Sequence, residues 1–198
     1  MTRLILASGS KARADILANA GISFDVIPAD IDESAIIQAY DGHDPGNLAA
    51  ILAAEKAKAI SVKYPQALVI GGDQILEHNG QVLQKAANKD AAIDKLKRLS
   101  GQMHSLISAV CVAQNSEILW KTTGHAQLHM AEMSAEEIQA YADKAGGEVL
   151  TKCVGAYELE GIGAGLFEEI DGDYFTILGM PLIPLLRYLR TRHDIKAF

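Results

Sequence analysis

Leu4-Ile5-Leu6-Ala7-Ser8-Gly9-Ser10-Lys11-Ala12-Arg13 is the stretch whose reading decides the fold. The apolar run 3–7 reads as a short strand. Ser8-Gly9-Ser10 breaks it, and residues 11–20 take up helical spacing, with Ser10 as N-cap and Gly21 as the stop. A strand feeding a helix through a small polar turn is the opening unit of an α/β sheet. The turn also gathers free backbone N–H groups, hydroxyls and the positive end of a helix dipole at one point. Arg13, on the first helical turn, adds a planar, permanent cation suited to phosphate oxygens. The plainer alternative is an ordinary β–α turn with Arg13 in solvent. No Gly-x-x-x-x-Gly-Lys-Ser/Thr run occurs in the chain, so this is not a Walker loop.

Outward from this unit, residues 24–27 read as a strand closed by Pro28, followed by the acidic Asp30-Ile31-Asp32-Glu33. Residues 48–62, rich in Ala, Leu and Lys, form the most strongly marked helix. Residues 67–70 read as a buried strand running into Gly71-Gly72-Asp73. Residues 75–77 and 81–83 flank His78-Asn79-Gly80, a hairpin signal. Residues 90–99 are helical. Residues 105–113 and 118–130 read as long antiparallel strands about Gln114-Asn115-Ser116. A helix over 134–144 opens on the capping box Ser134 to Glu137. After the Gly-rich region 155–165, residues 174–178 read as a strand and 182–192 as the last helix. Early alternation of strands and helices, then a hairpin, predicts α/β with a mixed sheet.

With 198 residues, the chain corresponds to about 1.3 average domains. Its 49% hydrophobic and 22% charged content supports a buried core and excludes disorder as a whole. The formal net charge of −7, from 25 acidic and 18 basic residues, argues against a dedicated nucleic-acid binder. It leaves small phosphorylated ligands open, because these need only a few well-placed cations. Cys111 and Cys153 sit in apolar stretches and read as reduced core residues. No signal peptide and no membrane span is legible, since the apolar run 177–186 is interrupted by Pro181 and Pro184. The expectation is a soluble, cytoplasmic protein.

Four places could carry chemistry. The first is the 8–13 turn. The second is Asp30, Asp32 and Glu33, which could hold a hard divalent cation or form a solvated acidic loop. The third is Gly71-Gly72-Asp73-Gln74. Ligands of open α/β sheets bind at the carboxyl ends of strands, although Asp73 could instead cap a turn. The fourth is Lys56 on its Ala-rich helix, together with Lys85; either could face an anion or snorkel to solvent. The histidines show no zinc spacing with cysteine, Gly161-Ile162-Gly163-Ala164-Gly165 lacks the dinucleotide-binding pattern, and Asp171-Gly172-Asp173 reads as a turn.

In this order the signals resemble the Maf family of nucleoside triphosphate pyrophosphatases. The resemblance covers nearly the whole chain. It rests on Leu6-Ala7-Ser8-Gly9-Ser10 with Arg13, Glu33, Glu55-Lys56-Ala57, Gly72-Asp73, Lys85, Leu99-Ser100-Gly101, Gly155-Ala156-Tyr157, Glu160-Gly161 and Leu178-Gly179-Met180-Pro181-Leu182. It implies a single Maf-like domain over 1–198, with a mixed twisted sheet flanked by helices in two lobes around a deep groove. A homodimer is also implied. The implied reaction is hydrolysis of a nucleoside triphosphate to monophosphate and pyrophosphate with a divalent metal cation, Mg²⁺ or Mn²⁺. By resemblance Asp73 is the catalytic base, Ser8, Ser10, Arg13, Lys56 and Lys85 bind substrate, and Glu33 and Asp73 hold the metal. Ala86 stands where the family commonly has proline, and Ala12 where it has a bulky residue.

Three positions separate the family's branches. Ala12, Gln74 and Glu160 fit the branch acting on 7-methyl-GTP at two of the three, against the branch acting on dTTP and UTP. An ionised Glu only accepts hydrogen bonds, and guanine offers two adjacent donors. The expected substrate is therefore a guanine-type nucleotide, with dTTP or UTP as the alternative. A nucleotide-binding regulator of cell division with little turnover is the reading from another class.

Overall fold

The computed structural model describes residues 2–196. Among these residues seven strands form one mixed sheet: β1 (Leu4–Leu6), β2 (Asp25–Val26), β3 (Leu68–His78), β4 (Gln81–Leu83), β5 (Met103–Gln114), β6 (Glu117–Met130) and β7 (Phe167–Gly172). Their order is β2-β1-β3-β5-β6-β7, with β4 paired to β3. β1 lies parallel to β2 and β3, whereas β3–β4 and β6–β7 are antiparallel. Among the described residues eight α-helices accompany the strands: α1 (Lys11–Asn19), α2 (Glu33–Ala39), α3 (Pro45–Ser61), α4 (Lys89–Leu99), α5 (Ala135–Ala145), α6 (Gly147–Lys152), α7 (Tyr174–Ile177) and α8 (Leu182–His193).

The chain divides into two compact units. The first holds the chain through Gln74, Ile107–Gly124 and the chain from Asp173; the second holds Ile75–Leu106 and His125–Gly172. In the first unit Leu4 and Leu6 of β1, Leu68 and Ile70 of β3, and Val110 and Val112 of β5 pack against Ile16 and Leu17 of α1 and Leu182, Leu185 and Leu189 of α8. The same parity along β3 sends Gly71 to the opposite face. There a Cβ would come within 2.1 Å of the Ala53 carbonyl oxygen and 2.8 Å of the Ala57 Cβ on α3. In the second unit α4 buries Ala92, Ile93, Leu96 and Leu99, and α5 buries Ile138, Tyr141 and Ala142. Cys111 is buried, Cys153 is partly buried, and both are unpaired thiols. Among the described residues no helix is long and apolar enough to cross a membrane.

The local signals hold where chemistry fixes them. Ser10 caps α1, the full capping box opens α5, and Asn79-Gly80 and Asn115-Ser116 turn their hairpins at positive φ. Three readings are corrected. Gly71-Gly72-Asp73-Gln74 is neither the end of a strand nor a turn but the middle of β3, where the missing side chains admit α3 and Arg13. Residues 174–177 are helical rather than extended, because Asp173 accepts from the Thr176 N–H as an N-cap. Asp171 and Gly172 end β7 instead of forming a turn. Helices α2 and α6 carry too short an apolar pattern to announce themselves.

Candidate functional site

β1 ends at Leu6, two residues before Ser8, and α1 starts at Lys11, three residues beyond it. The Ser8 hydroxyl accepts from the Ser10 N–H at 3.3 Å, and the Ser10 hydroxyl accepts from the Arg13 N–H at 3.4 Å. The turn is thus tied by its own side chains. Arg13 is not solvated; it is 8% exposed. Its Nη1 donates to the Ser8 hydroxyl at 3.1 Å and its Nε to the Gly179 carbonyl at 2.8 Å. Burial lowers the Arg13 pKa from its ordinary value, while the charges of Asp73 and then Glu33 raise it. Both direct acceptors are neutral, so the guanidinium, always a cation, keeps charge and donors for an anion.

Two glycines make room for it. A Cβ on Gly72 would stand 3.2 Å from both Cδ and Nε of Arg13. Gly179 holds φ at +102°, a conformation that favours glycine, and its carbonyl meets the guanidinium. Gly179 had no role assigned from sequence. Its only signal was its place in Leu178-Gly179-Met180.

Lys56 does not reach solvent either. Its ammonium lies 2.6 Å from Asp73 Oδ1 and 2.9 Å from Glu33 Oε1. Parity along β3 explains the meeting: Asp73 shares the face of Gly71, against α3, while Gln74 points the other way. Gln74 Nε2 donates to the Ser108 hydroxyl at 3.1 Å, the Thr176 carbonyl at 3.2 Å and the Ile177 carbonyl at 2.8 Å. The Ser108 hydroxyl itself donates to the Thr176 carbonyl at 2.7 Å, so it can only accept from Gln74. The amide is therefore oriented with its N–H₂ committed and its carbonyl oxygen as the remaining acceptor. Ser108 and Thr176 escaped the sequence reading because a lone hydroxyl in an apolar strand or short helix carries no local pattern. Ala12 is half-buried on α1.

Asp32 is drawn away from the acidic cluster: its carboxylate caps α2 by accepting from the Ala35 N–H at 3.0 Å. Glu33 and Asp73 instead converge on one ammonium. Two hard carboxylates this close fit Mg²⁺ or Mn²⁺, which keeps waters and takes substrate phosphate oxygens beside one or two protein ligands. A cage built from protein alone is absent, since no three His, Cys, Asp or Glu side chains gather among the described residues.

Lys85 and Glu160 belong to the second unit, and both are exposed. Each acts on the same thiol. Burial, then Glu158 and Glu160, push the Cys153 pKa up to about 12, and Lys85 opposes them. The Lys95 ammonium donates to the Gln84 carbonyl and, at 2.8 Å, to the Val154 carbonyl. One side chain thus ties the residue before Lys85 to the loop that leads to Glu160. Further along that loop Tyr157 OH lies 2.6 Å from His104 Nε2, both buried.

Comparisons with known proteins bear on this geometry. The family model described as Maf-like protein matches residues 3–192. A protein of Rhodopseudomonas palustris named nucleoside triphosphate pyrophosphatase is 46% identical over 190 residues, covering 96% of this chain and 94% of its own. A protein of the same name from Bradyrhizobium diazoefficiens is 47% identical over 192 residues, covering 97% and 95%. Among solved structures, a HAM1 protein from Coxiella burnetii matches 67% of this chain and 75% of its own, at 17% identity and a TM-score of 0.42.

Proposed function

This chain belongs to the Maf-like protein family, and on that premise we propose that it acts as a nucleoside triphosphate pyrophosphatase, a hydrolase of phosphoanhydride bonds. The observation that carries the reading is the pairing of a buried cation that lacks a direct counter-ion, Arg13, with the trio Lys56, Asp73 and Glu33 in the same unit. The first receives phosphate oxygens. The second holds carboxylates where a water can be deprotonated.

Cleavage between the α- and β-phosphates needs an in-line water, neutralised equatorial oxygens and a stabilised pyrophosphate leaving group. Arg13 and the Ser8 turn bind phosphate oxygens through fixed donors, which need no reorganisation as charge develops. Lys56 holds Asp73 and Glu33 in register. Asp73 takes the proton of the attacking water. Lys85, an exposed cation, is the further phosphate-binding residue that the family resemblance implies. Glu33 and Asp73 would hold the divalent cation, which supplies charge neutralisation at the phosphates when bound.

The substrate we assign is a guanine-type nucleotide, 7-methyl-GTP among them. Gln74 keeps an acceptor as its open valence, which suits a donor on the guanine edge. Glu160, an exposed acceptor, is the second position that the family resemblance assigns to base selection. Ala12 contributes no ring to stack on the base.

The test is pyrophosphate release from GTP, 7-methyl-GTP, dTTP and UTP, with Mg²⁺ and with chelator. Metal-dependent release with the guanine-type nucleotides fastest is expected. Binding without release from any of the four would favour the regulator reading, against which the intact set Arg13, Lys56, Asp73 and Lys85 stands.

A further inference from the structure

The first unit carries a second feature that shares no residue with this site. A cavity of about 820 Å³ opens between β6 and α8, lined by Trp120, Thr122, Ile183, Arg187, Tyr188 and Arg192 among others. Its volume falls within the range of small-ligand sites, roughly 300–1,000 Å³. Trp120 and Tyr188 lie stacked in its wall, their centroids 5.0 Å apart and their planes 12° from parallel. No Asp or Glu is among the lining residues, although the chain as a whole carries a net charge of −7. Among the described residues no carboxylate pairs with Arg187 or Arg192.

We propose that this groove binds a nucleoside monophosphate. The stack offers a flat, apolar surface that a base can extend. The two exposed guanidiniums match the double charge of one terminal phosphate monoester, and they offer planar, multiple donors to it. A nucleoside monophosphate is also the organic product of the proposed reaction, so the groove would sense product. The binding claim itself does not depend on turnover.

The protein supplies its own probe, for Trp120 is its one tryptophan. Titration of the intact protein with GMP, exciting at the red edge of tryptophan absorption with free tryptophan as the control, should give a saturable change in emission. The double variant Arg187→Ala/Arg192→Ala changes two exposed side chains, keeps the fold by circular dichroism and the rate of hydrolysis at low product, and should bind GMP at least about tenfold more weakly. Arg13→Ala should leave the titration unchanged. Ribose 5-phosphate should bind more weakly than GMP. Absence of a saturable change, equal affinity in the double variant, loss of the signal in Arg13→Ala, or equal affinity for ribose 5-phosphate would each overturn the proposal. Binding of a single-stranded oligonucleotide in place of GMP would overturn it in favour of nucleic acid. None of these outcomes touches the pyrophosphate-release panel, so the two readings fail separately.

Discussion

The ammonium of Lys56 sits 2.6 Å from Asp73 Oδ1, and both side chains retain only about a tenth of their exposure. Breaking a buried pair by removing one partner leaves the other charge uncompensated, which typically costs about 3–5 kcal/mol. Lys56→Met should therefore lower the unfolding midpoint in urea as well as abolish turnover. A variant as stable as the parent would show that the pair is not part of the folded framework.

Asp73→Asn keeps the shape of the side chain and an oxygen for Lys56, but removes the base. Its kcat for pyrophosphate release should fall by about 100-fold or more. Near-normal turnover would remove Asp73 from that role.

Gly71→Ala drives a methyl group onto the Ala53 carbonyl and the Ala57 side chain. α3 must then shift away from β3, at a cost of about 2–3 kcal/mol, and it carries Lys56 with it. Stability and kcat should drop together. Gly147→Ala is the matched control. Nothing lies near its Cβ and its φ is not in the positive range, so stability should hold or rise by up to about 1 kcal/mol. Equal effects of the two substitutions in a urea titration would contradict the packing argument.

Burial, reinforced by the nearby His78, pulls the His104 pKa from its ordinary value down to about 4. The unfolded chain then binds a proton that the folded chain refuses. Stability from this residue is complete above about pH 6.5 and is lost as pH falls toward 4, by at most about 1.4 kcal/mol per pH unit. His104→Phe should flatten the urea midpoint across this window. A slope unchanged by the substitution would assign the acid sensitivity elsewhere.

Glu160→Gln replaces a pure acceptor with a group that also donates. The ratio of kcat/KM should move toward dTTP or UTP relative to GTP. Identical ratios in parent and variant would remove Glu160 from base selection.

The β–turn–α opening, the caps at Ser10 and Ser134, and the Asn-centred hairpin turns were legible in the sequence because each depends on neighbours within a few residues. So were Ser8, Arg13, Lys56 and Asp73 as candidates, since small polar turns, strand ends and stray cations stand out against an apolar background. Their partners were not legible. Arg13 meets Gly179 across 166 residues, and which cation faces Asp73 depends on the parity of β3 through Gly71 and Gly72. A pair of glycines after an apolar run reads locally as a turn. Only the helix pressed against it shows that it is a strand thinned to admit a neighbour. Likewise, the short apolar run 174–177 could extend or coil, and the Asp173 cap decided it.

The sequence by itself therefore determined the element types that local chemistry enforces, together with the ordered residues that mark the family. Tertiary structure decided which of those residues act on one another. It placed Lys56 between two carboxylates, left Arg13 buried on neutral acceptors, and turned the Gln74 amide so that its oxygen stays open. The physical reason is range. Capping, turn strain and periodicity act over a few residues, whereas the pairing of buried charges follows from sheet register and the close approach of helices that are far apart in the chain.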